Sequence, residues 1–530
     1  MNLRLVCFAA LVYFLFFFII GALNAQVIYH TGNDQPVATN HLPGLVLAGG
    51  ATDNNDAMKW MLERADGGDV VVLRASGSDG YNNYFYSGLG VSVNSVTSIV
   101  IQSTAHANSE EVVEILNNAE VVFIAGGNQW NYVNHWRDSA LLEALQQLIA
   151  EKQITIGGTS AGMAVLGEVI FTAENQTVWS SEALGDPYHW RVKLEKDFLN
   201  VPFMQYTVTD SHYNREESDG NDRKGRHVAF MARMITDWGM PAKGIAANEY
   251  TAIAIDETGR ARVFGHPSYP DYGYFLQVFG GVPEVCEEGK TLDWNREEQA
   301  LKVYKVKGDF DGSGWFDLSS WVNGAGGEWQ HWHIDEGVLH ESESFDPEGL
   351  WLQVLVYAPD RVTFVEGAEV FVEGQLVKTT PIYGSVNFLK LDTNVSLEYQ
   401  VVADGYATAS GVVDLGMDNK LLEVVLSDVD TSVPGKPLGE KPIRLYPNPA
   451  GPVLNIDICP SLLTDAERPA IIRIFRNDGR LIFSGKVDEL MLIDAGGASQ
   501  GLTVEHLPAG FYILEYSDKR QVIAVPWIKR

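Results

Sequence analysis

A chain of 530 residues is long enough for three or four domains, each burying its own core. Its 69 acidic residues against 38 basic ones leave a formal charge of -31, and no stretch gathers Lys and Arg into a patch, which excludes nucleic acid and anionic membrane surfaces as partners. The three cysteines, Cys7, Cys286 and Cys459, are too scattered for a disulfide framework.

Residues 1–25 read as a signal peptide: Arg4 supplies the positive start, an apolar run covers 5–20, and small residues lead to Ala25. The competing reading is an uncleaved anchor, because the run is borderline in length and Leu23 is an imperfect cleavage-site residue. No later stretch is continuously apolar enough to span a bilayer, so no stable membrane span is expected after processing.

The next segment, expected as a domain over 26–284, alternates short β-rich runs with helical patterns, the signature of an α/β parallel sheet. Strands are expected at 45–47, 70–73, 99–102, 121–124 and 154–156. Met58, Met61, Leu62 and Ala65 recur at helical spacing, as do Leu141, Leu145 and Leu148, so each set presents one apolar stripe to the sheet. In such a sheet ligands bind outside the carboxyl ends of the strands, where the glycine-rich turns of this chain fall.

Helical periodicity stops near 285, and three β modules are expected beyond it. The first, 285–347, holds Trp315, Trp321, Trp329 and Trp332. The second, 348–429, alternates apolar and polar residues as a β-sandwich does. A linker over 430–442, with three prolines and two glycines, precedes the last module, 443–530.

Gly158-Thr159-Ser160-Ala161-Gly162 follows the strand at 154–156 and precedes an apolar stretch. Small residues on both sides of a serine permit the sharp strand-to-helix turn that exposes its hydroxyl as a nucleophile. Such a hydroxyl needs a base within hydrogen-bond reach and a third group to orient that base. His212, after the apolar run at 201–208, is the candidate base, with His189 and His227 as competitors. A second glycine turn, Ala125-Gly126-Gly127-Asn128-Gln129, ends the strand at 121–124. Backbone amides at Gly127 and Ala161 would suit an oxyanion, although a plain tight turn accounts for the segment equally well.

Taken in order, residues 125–129, 157–162, 210–212 and 244–252 resemble the blocks of the serine peptidase family that contains cyanophycinases and aspartyl dipeptidases. The resemblance implies a flavodoxin-like parallel sheet similar to class I glutamine amidotransferase domains, here followed by the all-β modules. It also implies hydrolysis at aspartyl units, which in cyanophycinases means cutting multi-arginyl-polyaspartate to dipeptides. Carried over by motif, Ser160 is the nucleophile, His212 the base and Glu249 the acidic member, with Glu174 the weaker alternative. Gln129, Asp210, Ser211 and Arg226 fall at substrate-binding positions.

The chain departs from the cyanophycinase pattern where the substrate is read. Ser211 replaces a glutamine, residues 214–223 look inserted, Lys224 stands at one arginine place and a further arginine is missing. A lysine lacks the planar fork that grips a carboxylate, so hydrolase chemistry stands firmer than polymer specificity. A dipeptidase acting on short acidic peptides and an inactive surface-binding protein are the alternatives. No metal or cofactor is called for.

The last module, through Leu445-Tyr446-Pro447-Asn448-Pro449-Ala450, residues 472–479 and Leu507-Pro508-Ala509-Gly510-Phe511-Tyr512, resembles the sorting domain read by the type IX secretion machinery. That implies a secreted protein at the cell surface or outside it. The sandwich is similar to carboxypeptidase-regulatory-like modules. Asp309, Asp311, Ser313, Gly314 and Asp317 match part of a calcium loop, but Ser320 stands where such loops have glutamate, and a hairpin turn is the simpler expectation. The tryptophans are expected in a core rather than on a sugar-binding face.

Overall fold

The computed structural model describes residues 27–215, 222–344, 349–373 and 376–428, and after these the strands of the C-terminal tail. The signal-peptide stretch 1–25 and the linker 430–442 lie outside the described residues. The chain divides into two units, residues 1–429 and 430–530.

Apolar runs such as Asp69–Arg74 have side chains buried on both faces, which only a covered, largely parallel sheet can provide. The chain opens with β1 (Val27–Gly32), β2 (Gly44–Ala48), α1 (Asn55–Glu63), β3 (Asp69–Arg74), β4 (Ser95–Val100), α2 (Glu110–Asn118), β5 (Val121–Ile124), α3 (Gln129–Trp136), α4 (Ala140–Gln147) and β6 (Thr155–Thr159). Strands β4, β3, β5, β6 and β2 lie side by side in that order, all parallel. Asn54 starts α1 by accepting the amides of Asp56 and Ala57, both at 3.1 Å. The helix then lays Ala57, Met58, Met61 and Leu62 on one face of the sheet.

A second sheet follows: α5 (Ala161–Ala164), β7 (Val169–Phe171), β8 (Leu194–Lys196), β9 (Thr207–Asp210), α6 (Lys224–Trp238), β10 (Lys243–Ala247), β11 (Ala252–Ile255), β12 (Arg260–Phe264) and β13 (Tyr272–Val278). Here β9 runs parallel to β10 and β7, while β11 and β12 return to the first sheet beside β2. Leu45, Leu47 and Ile156 of the first sheet share one core with Ile245 and Phe275 of the second.

The expected separate tryptophan module at 285–347 is corrected by the strand pairing. β14 (Leu301–Lys307), β17 (Gly327–Asp335) and β18 (Val338–Glu341) extend the second sheet beyond β13, whereas β15 (Trp315–Asp317) and β16 (Gly324–Ala325) extend the first beyond β12. Phe316 and Trp321 sit in the core between the sheets, and Trp332 and Ile334 in the core under α6. A segment this short buries its aromatics by borrowing the α/β part's faces, not by closing on itself.

The next strands form a sandwich. Leu350–Tyr357, Ser385–Leu391 and Lys420–Val425 make a three-stranded sheet, and Glu369–Val372, Leu376–Thr379, Val395–Val402 and Ala409–Leu415 a four-stranded one. Leu352, Val354, Val370, Phe388 and Val401 fill the space between them. The sandwich docks on the α/β part through Trp351, whose ring meets Trp329 edge-on at 4.9 Å and lies 3.8 Å from Lys302 Nζ.

In the tail, two four-stranded antiparallel sheets are described, one around Val453–Ile458 and one around Ile471–Arg476. Residues 447–450, 477–479 and 507–509 of its motifs, and Cys459, lie outside the described residues. No helix among the described residues is long and apolar enough to cross a membrane.

Candidate active site

Ser160 leaves β6 in a conformation that few residues other than glycine adopt, φ 53° and ψ -111°, with its amide tied to Ala48 O at 3.0 Å. The turn is tight enough to dictate both flanking glycines. A Cβ at Gly158 would come within 2.4 Å of the Gly162 carbonyl carbon, and one at Gly162 within 2.0 Å of Ile124 O. The strained backbone thus aims the hydroxyl out over the carboxyl ends of the strands.

His212 follows β9 and Glu249 follows β10, so base and acid come from neighbouring strands of the second sheet while the serine comes from the first. Ser160 Oγ lies 2.8 Å from His212 Nε2, and His212 Nδ1 lies 2.6 Å from Glu249 Oε1. The ionised carboxylate only accepts, so Nδ1 carries the proton and Nε2 is left free to accept from the serine hydroxyl. The turn after β2 fixes both partners: His212 N donates to Gly49 O at 2.8 Å and Tyr250 N to Gly50 O at 3.1 Å. Burial pushes the His212 pKa below its usual 6.5, Glu249 pulls it back up, and the charges of Arg215 and Arg223 push it down. Burial acts to raise the Glu249 pKa, but hydrogen bonds from His212 and Arg215 outweigh it and hold the carboxyl below its ordinary value.

A cleft of about 430 Å³ opens in front of Ser160, lined by Gly127, Gln129, Ala161, Asp210, Ser211 and the arginines of α6's first turn. Gly127, at φ 151°, and Ala161, the first residue of α5, stand beside the nucleophile. Gln129 donates to Phe171 O at 3.4 Å, and Ser211 is buried beside Asp210. A wider crevice of about 1100 Å³ lies between Trp238 and the sandwich residue Phe364, and none of the three aligned residues lines it.

Asp210 and Arg226 reach the cleft but are already committed. Arg226 Nε and Nη2 donate to the two oxygens of Asp210 at 2.8 and 2.7 Å, and its Nη1 donates to Thr177 Oγ1 at 2.8 Å and Val178 O at 3.2 Å. With its fork spent inside the wall, Arg226 is a brace rather than the free grip that its sequence position suggested. Arg223 is the group the sequence left unrecognised. It stands at the start of α6, with Nη1 3.6 Å from Asp210 and a buried Nε that lacks a partner. Burial and the neighbouring Arg226 lower its pKa to about 9. Lys224, expected at an arginine place, turns away to Glu341 at 2.7 Å.

The competing residues are occupied elsewhere. His227 is bound between Val208 O and the Tyr213 hydroxyl, both at 3.1 Å; His189 packs by Trp190, and Glu174 is exposed. Asp309 spends its carboxylate on the amides of Asp311 and Ser313, both at 3.0 Å, and on the Ser313 hydroxyl, which is how a hairpin turn closes on itself. Among the described residues no group of three or more His, Cys, Asp or Glu side chains is placed to hold a metal ion.

Residues 45–259 match the pattern of Peptidase family S51, and residues 444–530 that of a secretion system C-terminal sorting domain. Over 238 residues the chain is 29% identical to a cyanophycinase of Synechococcus elongatus, covering 42% of this chain and 66% of that one, just under two thirds. A cyanophycinase of Nostoc sp. is 23% identical over 169 residues, 32% of this chain and 50% of its own length. Among solved structures, a peptidase from an acI-B1 Actinobacterium superposes with a TM-score of 0.33 at 13% identity, over 44% of this chain and 94% of that one.

Proposed function

We propose that the chain, whose residues 45–259 match Peptidase family S51 and whose residues 444–530 match a secretion system C-terminal sorting domain, is a serine-type peptidase secreted by the type IX machinery and acting on aspartyl-containing peptides. The observation that carries this reading is the continuous relay from Ser160 through His212 to Glu249, at 2.8 and 2.6 Å. Three groups drawn from three strands of two sheets, aligned in the order nucleophile, base and acid, have no structural need to meet. The relay also weighs against an inactive binding protein.

In this mechanism Ser160 Oγ attacks the amide carbonyl while His212 Nε2 takes its proton. The amides of Gly127 and Ala161 receive the oxyanion. His212 then gives the proton to the leaving amine, and Glu249 steadies the imidazolium. Water releases the acyl group from Ser160 with His212 again as base. With Asp210 and Arg226 neutralising each other, the charge of Arg223 at the cleft favours a substrate carboxylate next to the scissile bond, which suits aspartyl units.

Hydrolysis of multi-arginyl-polyaspartate and of β-aspartyl dipeptides, with Ser160→Ala alongside, tests the reading. Polymer cleavage that the substitution abolishes supports a cyanophycinase, and serine-dependent cleavage of dipeptides alone supports a dipeptidase. Activity that survives Ser160→Ala, or no hydrolysis of either substrate, would overturn it.

A further inference from the structure

One oxygen, Glu249 Oε1, accepts from three nitrogens: His212 Nδ1 at 2.6 Å, Arg215 Nη2 at 2.9 Å and Arg215 Nε at 3.0 Å. An acid that only oriented the imidazole would need no cation on the same oxygen. We propose that Arg215 is a positioning residue of the serine peptidase described above: its guanidinium fixes the Glu249 carboxylate against the back of His212 and shares that carboxylate's charge with the imidazole.

The geometry has two separable consequences. Held from one edge by a planar fork, and with its backbone amide donating to Asn214 Oδ1 at 2.9 Å, Glu249 has little freedom to swing away from Nδ1. The second consequence is electrostatic. A carboxylate shared with a guanidinium stabilises the imidazolium less, so His212 stays neutral, and able to accept the serine proton, at lower pH. The other groups facing His212 are the Ser160 hydroxyl from the end of β6, the Gly49–Gly50 backbone, and Arg223 from the start of α6, behind which the Asp210–Arg226 pair is internally neutralised. Arg223 and Arg215 push the imidazole the same way, but only Arg215 touches the carboxylate.

The test needs no knowledge of the substrate. The full chain is treated with a fluorophosphonate, and the rate at which Ser160 is labelled is followed against pH. In this reaction Ser160 Oγ bonds to phosphorus, fluoride leaves, and the hydroxyl proton passes to His212. Arg215→Gln is expected to move the acid limb of the profile upward by roughly one unit. Its plateau should fall about 10- to 100-fold, the cost of a misplaced base. Arg215→Lys keeps the charge without the fork, so its acid limb should stay near that of the unsubstituted protein while the plateau recovers only in part. An acid limb that does not move in Arg215→Gln, or a lysine variant indistinguishable from it, would overturn the role of Arg215 alone. Failure of the unsubstituted protein to be labelled, with Ser160→Ala as the blank, would overturn the nucleophile and this inference with it.

Discussion

Asp210 and Arg226 meet through two parallel hydrogen bonds of 2.7 and 2.8 Å, with side chains only 4% and 3% exposed. Removing one charge strands the other, unpaired, in a buried position. Asp210→Asn is therefore expected to lower the unfolding free energy by about 3 kcal/mol, read from guanidinium denaturation at neutral pH. Burial acts to raise the Asp210 pKa, and the charge and hydrogen bonds of Arg226 overcome it, leaving the pKa depressed. That stabilisation is complete above the unfolded carboxyl's pKa and drains away as pH falls through the lower folded value, so the Asn variant should lose less stability on acidification.

The rate of hydrolysis should follow a deprotonation set by His212. Burial lowers its pKa beneath 6.5 and the nearby arginines add to the effect. Because the neutral imidazole is the active form, kcat/KM is expected to be flat at neutral pH and to fall only below about 6.5, the ordinary histidine value. A midpoint above 7 would show that the Glu249 carboxylate dominates instead.

Gly50 has a φ of 98°, and a Cβ there would lie 2.5 Å from His212 Cε1. Gly50→Ala must displace the imidazole from Ser160 as well as strain the turn. The expected result is a loss of about 100-fold in kcat with a much smaller change in KM, measured by steady-state kinetics. Loss confined to KM would mean that the ring stays in place.

Lys302 is 1% exposed, its Nζ has no hydrogen-bond partner, and the rings of Trp351, Trp329 and Phe279 stand 3.8, 4.9 and 5.4 Å away. Burial drives its pKa well down. For an amine so shifted, stability grows as pH rises from the folded value towards the unfolded one near 10.5, because unfolding must take up the proton that the folded chain has already shed. Lys302→Met should raise stability at pH 7 by about 1 kcal/mol and flatten this alkaline gain, as chemical denaturation at pH 7 and 9 will show.

What could be read in advance depended on how local each demand was. The turn at Ser160 was legible because Gly158 and Gly162 are required by atoms within the turn and the adjoining strand, and those demands are written in five consecutive residues. His212 and Glu249 lie 52 and then 37 residues further on, and no spacing rule joins them; the apolar run at 201–208 made His212 one candidate among three histidines, and only the ordered resemblance brought Glu249 forward. Arg226 was expected to grip substrate and Arg223 was passed over, for a different reason. Which of two nearby guanidiniums is saturated depends on Thr177, Val178 and Asp210, and hydrogen-bond saturation leaves no trace in composition. The strands around Trp315 and Trp332 were recognisable as strands, since alternation reveals that one face is covered. It cannot reveal what covers it, and here the covering came from sheets begun earlier in the chain.

That late completion also bears on where the molecule can be divided. A polypeptide ending at residue 284 would leave β13 bare along the whole line that β14 pairs from Tyr272 to Val278, and β12 open where β15 lies against it. Raw edges of this kind recruit other chains, so such a fragment should precipitate rather than behave as a free-standing enzyme. The family match ends at residue 259, yet the first cut that spares both edges lies beyond Glu341, and any gene fusion or domain exchange has to carry those hairpins as part of the catalytic body.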